Sequence, residues 1–343
     1  MFEVKHVALL FLIMQNTALA IVMRLSRSMG GVEYIAATAV VMAEALKTIV
    51  AAAMMYREYG SDFVPKFKER VFGSVQDFCK MVVPSSLYVL QNNLQYVAIS
   101  NLEAAHYQIG CQLKILTTAI FSVVILRRKL SWMQWIALLV LMPGISLVQL
   151  SKLDSMNSHG ADAATASHGG GTVNIFKGTV AVVSACVCSG LAGVYFEKVL
   201  KGTVASIWER NIQLGSIGIV SGLIAVVLSP GAAARVHSEG FFTGYNIIVW
   251  TVVALQAFGG LVTAVVVKYA DNIIKSFATS FAIILSCVIM WLFMDFHPSL
   301  KFAIGVVFVN VAVYLYGNYG PKKSAAAPQA KVSSSKPKSQ QMV

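Results

Sequence analysis

Runs of about 20 apolar residues, the length that crosses the hydrocarbon core of a bilayer, recur along almost the whole chain. They fall near residues 7–23, 34–55, 81–99, 104–126, 133–150, 178–200, 207–227, 245–267, 274–294 and 302–316. In lipid each backbone N–H and C=O must find its partner inside the protein, so such segments fold as helices. Only 12% of the residues are charged while 57% are hydrophobic, against roughly 25% charged in a soluble domain. The expectation is an all-α integral membrane protein of ten transmembrane helices.

The formal charge of +12 would suit a nucleic-acid binder, but its placement reads as membrane orientation. With an even number of spans both termini share a side. That side collects most of the cations, among them Lys5, Arg57, Lys68, Arg128, Lys201 and Lys322. The other side holds only Arg24, Arg27, Lys152, Lys177, Arg235 and Lys301, and the positive-inside rule then puts both termini in the cytosol. The first run is of full length and is followed by Arg24 and Arg27 instead of a small-residue cleavage site, so it is expected to stay as an anchor. The five cysteines lie in or beside spans with neither a disulfide framework nor a metal-ligand spacing.

The longest interruption, 151–176, is rich in Ser, Gly, Ala and His and splits the chain into five spans plus five. The expected organisation is a first half at 1–150, a flexible lumenal linker at 151–176, a second half at 177–320 and a disordered cytosolic tail at 321–343. Many transporters are built from such repeats, with the site near the midplane between them.

Against this apolar background, charges and amides inside the spans need a reason. Lys114 lies near the middle of 104–126, where a lysine costs roughly 3 kcal/mol and usually faces a water-accessible cavity. Tyr88, Gln91, Asn92 and Gln95 share one helical face by their i, i+3, i+4, i+7 spacing. Tyr107, Cys111, Lys114, Thr117 and Thr118 make a second stripe, and Lys268, Asp271, Asn272, Lys275 and Thr279 a third.

Lysine meets phosphate as a point charge with three donors, and Tyr and amide groups complete such a shell. Lys114 and Lys275 together would neutralise a diphosphate. The structural alternatives are a salt bridge from Lys114 to a buried carboxylate such as Glu44, interhelical hydrogen bonds for the amides, and a Lys275 that reaches toward headgroups. Glu44 and Lys47, three apart, suit an intrahelical ion pair as well as a substrate contact. Gly190, Gly193, Gly218, Gly222, Gly259 and Gly260 mark close helix approaches; Gly193 and Gly260, beside polar positions, also make room for a ligand. No Walker loop, no HExxH and no nucleophile with a base occurs in the spans, so neither ATP coupling, a cofactor nor a resident metal is expected; the residues alone leave open exchange of an anionic solute, a membrane enzyme with an unrecognised site and a non-transporting scaffold.

Several strings resemble one family. They are LQNNLQYVAISNLEAAHYQIGCQLKILTTAIFS, CSGLAGVYFEKVLK, WERNIQLG and LQAFGGLVTAVVVKYADNIIKSFATS. In this order they look like the nucleotide-sugar transporter family of the drug/metabolite transporter superfamily. The nearest branch is that of the CMP-sialic acid, UDP-galactose and UDP-N-acetylglucosamine transporters.

The resemblance implies ten helices in two five-helix repeats, and a Golgi or endoplasmic reticulum protein that exchanges a cytosolic nucleotide sugar for lumenal nucleoside monophosphate. It implies phosphate-binding roles for Lys114, Tyr107 and Lys275. It places Tyr88, Gln91 and Asn92 on the wall that meets ribose or sugar. Ser189, Gly190, Gly193, Gly215 and Thr263 look like the nucleobase pocket, and Glu44 with Lys47 like a pair near the sugar end.

The strings NIQLG and LQAFGG look like UDP-sugar members, whereas CMP-sialic acid transporters tend to carry an aromatic residue where this chain has Gly215. His106, Gly110, Cys111 and Ser276 depart from the family pattern, so the sugar itself does not carry over. The expected partners are a UDP-sugar, UMP and membrane lipid, but no nucleic acid; a second copy of the chain or a glycosyltransferase is a candidate protein partner. The alternatives are an exchanger of CMP-sialic acid or another phosphorylated solute, and a non-transporting membrane scaffold of the same fold.

Overall fold

Apolar sequence without strand-like alternation becomes helix almost everywhere. The computed structural model describes residues 2–28, 33–158, 174–203, 205–294 and 297–319, and among them there is no strand. The helices are α1 (Phe2–Ser28), α2 (Ala36–Tyr59), α3 (Phe63–Phe67), α4 (Val75–Asn101), α5 (Ala104–Cys111), α6 (Leu113–Leu126), α7 (Trp132–Ser158), α8 (Ile175–Gly202), α9 (Ile207–Leu228), α10 (Pro230–Glu239), α11 (Ile247–Tyr269), α12 (Asn272–Phe293) and α13 (Leu300–Asn318).

Among the described residues nine segments are long and apolar enough to cross a membrane. α4 matches them in length at 27 residues, but Gln91, Asn92, Asn93 and Gln95 lower its apolarity. The expected count of ten depends on including it. Their outer faces carry what a soluble protein would hide: Leu10, Phe11 and Met14 on α1, Val227 and Leu228 on α9, and Trp291 to Phe293 on α12 are all exposed.

Three local features depart from the expected pattern. The span at 104–126 is interrupted at Gln112, where i→i+3 bonds from Gln112 N–H to Ile109 O (3.1 Å) and from Ile115 N–H to Gln112 O (3.0 Å) replace the regular ladder. α7 runs to Ser158, into the stretch expected as a linker; 159–173 and the expected tail lie outside the described residues. α10 is a short helix with no apolar run of spanning length, and Pro230 is its first residue, where a missing N–H costs nothing.

Packing couples early helices to late ones. α7 lies along α13, α4 along α8, α2 along α9, and α1 against both α11 and α12, while α6 lies along α8. Small residues set the closest approaches. A Cβ on Gly305 would stand 2.7 Å from the Gly144 carbonyl oxygen, so α7 and α13 touch backbone to backbone. Ile115, Ala119, Leu138, Leu141, Ile145, Ile273, Phe277, Val309 and Ala312 fill the space where α6, α7, α12 and α13 meet.

Candidate functional site: a polar cavity between the helices

The break at Gln112 sets the centre of the site. It starts α6 anew just before Lys114, and Gln112 turns inward to donate to Gln149 Oε1 of α7 at 2.8 Å. Interrupted helices at cavity depth are tolerated where the backbone lines a polar space. Lys114 projects into a cavity of about 290 Å³ whose walls include Tyr88, Ser189, Thr263, Asn272 and Lys275. Adjoining it are cavities of about 140 Å³, bounded by Lys47, Gly193, Asn211 and Gly260, and about 210 Å³, bounded by Gln95, Tyr107, Cys111 and Cys186. Among the described residues neither Lys114 nor Lys275 is ion-paired to a carboxylate, and each ammonium feels the other's charge. Two cations thus face one cavity with no carboxylate among its described wall residues, and Lys275 also feels the charge of Glu197.

Glu44 does not neutralise Lys114. Its carboxylate holds Lys47 at 2.5 Å, the intrahelical pair that the three-residue spacing suggested. Of the expected residues, Lys114, Lys275, Tyr88, Tyr107, Ser189, Thr263, Lys47 and Gly193 line the three connected spaces.

The others lie differently. Gly190 packs on α6, where a Cβ would meet the Thr117 hydroxyl at 2.7 Å and backbone at 2.9 Å; Gly215 packs on α2, where a Cβ would stand 2.1 Å from Thr48 Oγ1. Both are helix-crossing glycines, not walls of these cavities. Gly193 combines the two roles, since a Cβ there would lie 2.3 Å from the Asn272 amide nitrogen. Glu44 bears on the site only through Lys47 and itself abuts Gly218. Asn92 is exposed and Gln91 holds a buried carboxamide oxygen with no partner; neither borders the cavity that contains Lys114.

Sequence reasoning passed over Asn16, Gln112, Gln149 and Asn211 as wall residues. Asn272 was in a recognised stripe but not among the candidates. It is buried, and its Oδ1 has no hydrogen-bond partner, which leaves an acceptor for a ligand N–H or O–H. A polar residue inside an apolar run was the available signal for all five.

The site is open at one end and closed at the other, and α12 gives the order. Asp271 caps it, with its side chain accepting from Ile274 N–H at 2.7 Å. Asn272, Lys275 and Thr279 follow in the cavity, then Ile283 and Ser286 in a wide vestibule of about 810 Å³. Asn16, Gln149, Thr279 and Ile283 border both spaces, so the two adjoin.

At the opposite end lies an ion network. Glu197 of α8, wholly buried, accepts from Arg128 Nη2 at 2.5 Å and Lys201 Nζ at 2.7 Å and from Asn272 N–H at 3.0 Å. Arg128 Nη1 also reaches Asp271 Oδ2 at 3.0 Å, and Lys201 donates to Ala270 O at 2.6 Å. Arg127, in the left-handed region at φ 53°, ends α6 and delivers Arg128 to this network.

Comparison with known proteins agrees with this architecture. The family model described as nucleotide-sugar transporter matches residues 1–317. The chain is 44% identical over 334 residues to the UDP-N-acetylglucosamine transporter of Mus musculus, which covers 96% of this chain and 99% of that one. It is 45% identical over 335 residues to the UDP-galactose translocator of Homo sapiens, covering 96% and 82%. A protein solved by crystallography shares the fold with a TM-score of 0.63 over 91% of this chain and 95% of that one, at 12% identity. With the family matched across almost its whole length, the chain belongs to the nucleotide-sugar transporter family.

Proposed function

We propose that the chain carries a UDP-sugar, UDP-galactose or UDP-N-acetylglucosamine or both, into the Golgi lumen in exchange for UMP. The observation that carries this is the pair Lys114 and Lys275, which face one cavity without a carboxylate between them. A pyrophosphate would relieve their mutual repulsion, and UMP, with one phosphate, would do so in the opposite direction. Tyr88, Ser189, Thr263 and the unpartnered Asn272 Oδ1 offer neutral hydrogen bonds for ribose, base or sugar. The names of the relatives support uridine over cytidine nucleotides.

Transport proceeds by alternating access between two five-helix halves, 1–150 and 177–320. The packing supports this division. If the spans are numbered in order with α4 as the third and α5–α6 as the fourth, exchanging each helix for its counterpart five spans on converts the α4–α8 contact into α11–α1, and α6–α8 into α12–α1; α2–α9 and α7–α13 convert into themselves. The vestibule and the Arg128–Glu197–Asp271 network correspond to a state open at one end. The charge bias puts both termini and this network on the cytosolic side, which makes the open end lumenal.

The test is UMP exchange by purified protein in proteoliposomes. Lys114→Ala should abolish it and remove the thermal stabilisation by UMP, which is about 2.7 kcal/mol at a hundred times Kd for a competent site. Exchange at the wild-type rate in that variant refutes the phosphate role. CMP that stabilises the wild type as well as UMP refutes the choice of base, and no stabilisation by any nucleotide favours a scaffold.

A further inference from the structure

The vestibule wall carries a cation that the central cavity does not use, and a second cation lies one helical turn beyond that wall. Lys152 of α7 is half-buried in its wall, three residues past Gln149, or about 4.5 Å of helix rise farther out. Arg24 sits one turn beyond the wall residue Ala20 on α1, with Nη1 3.1 Å from the Met290 sulfur. Met290 is itself one turn beyond the wall residue Ser286 on α12. Both cations therefore lie at the same end of the molecule, Lys152 in the vestibule wall and Arg24 just beyond it.

Nearby carboxylates do not compensate them. Asp154, two residues from Lys152, is held by Lys301 at 2.7 Å. Glu103 borders the vestibule but is 81% exposed and faces His106 Nδ1 at 3.4 Å. Among the described residues neither Lys152 nor Arg24 has a carboxylate partner.

A half-buried ammonium is costly unless an anion or water meets it, and a cleft lined by one sign of charge concentrates anions at its mouth. We propose that Lys152 and Arg24 form an outer capture site for the phosphoryl group of a nucleoside monophosphate entering the vestibule. From there the ligand passes along Asn16, Gln149 and Thr279, which border both spaces, to Lys114 and Lys275. The site has no specificity of its own; it sets how fast the anion arrives. This inference rests on the exchange function proposed above, because it assigns the vestibule to the incoming monophosphate.

Stopped-flow binding of UMP to the purified full-length protein in nanodiscs, at low and high salt, tests it. Lys152→Gln should slow association at low salt by roughly threefold to tenfold and flatten the salt dependence, with dissociation unchanged. Lys152→Arg should restore both, and Arg24→Gln should act in the same direction.

Association and salt dependence in Lys152→Gln equal to wild type overturn the capture site, as does an equally large change in dissociation. Should Lys152→Gln fail to fold, Arg24→Gln decides, and an unaltered association rate in it overturns the proposal. Wild-type protein that binds no UMP would instead refute the exchange function itself, so the two failures are distinct.

Discussion

Neutralising Glu197 should open the closed end of the protein. The side chain is fully buried and receives two cationic donors and one backbone N–H. Glu197→Gln keeps the shape but removes the ionised acceptor from two salt-bridge hydrogen bonds, at about 1 kcal/mol each, and leaves an amide donor facing other donors, at about 1 kcal/mol more. Arg128 and Lys201 are 25% and 31% exposed, so both relax toward water and the penalty for stranded cations is small. The sum is about 3 kcal/mol.

That loss falls on the state in which the end of α6 meets α8 and α12, and at 1.4 kcal/mol per decade it shifts the equilibrium about a hundredfold. Cys111, on the wall beside Lys114, reports the change. In vesicles of known sidedness an impermeant maleimide should label wild-type Cys111 from the vestibule side alone, and Glu197→Gln from both sides. Labelling of the variant that stays confined to the vestibule side would refute the reasoning, as would equal labelling of wild type from both.

Three other perturbations separate packing from recognition. Asp77→Ala strips the buried Arg210 of its bidentate carboxylate, at 2.7 and 2.9 Å, and leaves Gln213 as its remaining side-chain acceptor at 2.7 Å; a loss of about 3 kcal/mol is expected, the low end for a broken buried pair because Asp77 is partly exposed, and thermal unfolding in detergent measures it. Gly215→Ala must displace Thr48 from its bond to Glu44 O (2.8 Å) and should cost about 1–3 kcal/mol. Gly215→Tyr should then fail to fold; a folded Gly215→Tyr protein with altered nucleotide preference would return this glycine to the base pocket. Gly305→Ala should destabilise by about 2–3 kcal/mol, and a double variant with Gly144→Ala should cost less than the sum, because both separate the same α7–α13 contact.

Much of the fold was legible because spans obey length and apolarity alone, and both rules are local. The spans at 207–227 and 302–316 lie within a few residues of α9 and α13. The break at Gln112 was not legible, since 104–126 has no Pro and its only glycine is Gly110, two residues earlier. The inward turn of Gln112 is met by Gln149, 37 positions away, which receives its amide. The cations stood out against the apolar background, so Lys114 and Lys275 were singled out and both line the cavity, while Asn16 and Gln149 were lost among other single polar residues. The glycines were ambiguous for a related reason: a missing Cβ on a helix makes room equally for a ligand or another helix, and only the neighbour shows which contact is present. That neighbour is Thr48 for Gly215 and Thr117 for Gly190.

The closing network follows the same logic and explains why the open end and the closed end differ in legibility. Arg128, Glu197 and Asp271 come from three segments far apart in sequence, and each looks unremarkable near a span end, where charge is cheap. The network acquires meaning only when burial is known, because Glu197 has no access to water and must be held by cations. Lys152 and Arg24 are the converse case: cations near span ends that look like ordinary rim charges until no carboxylate is found beside them. Charge at a span end is therefore ambiguous in sequence, and the presence or absence of a counterion divides it here into a closing device at one end and an anion entrance at the other.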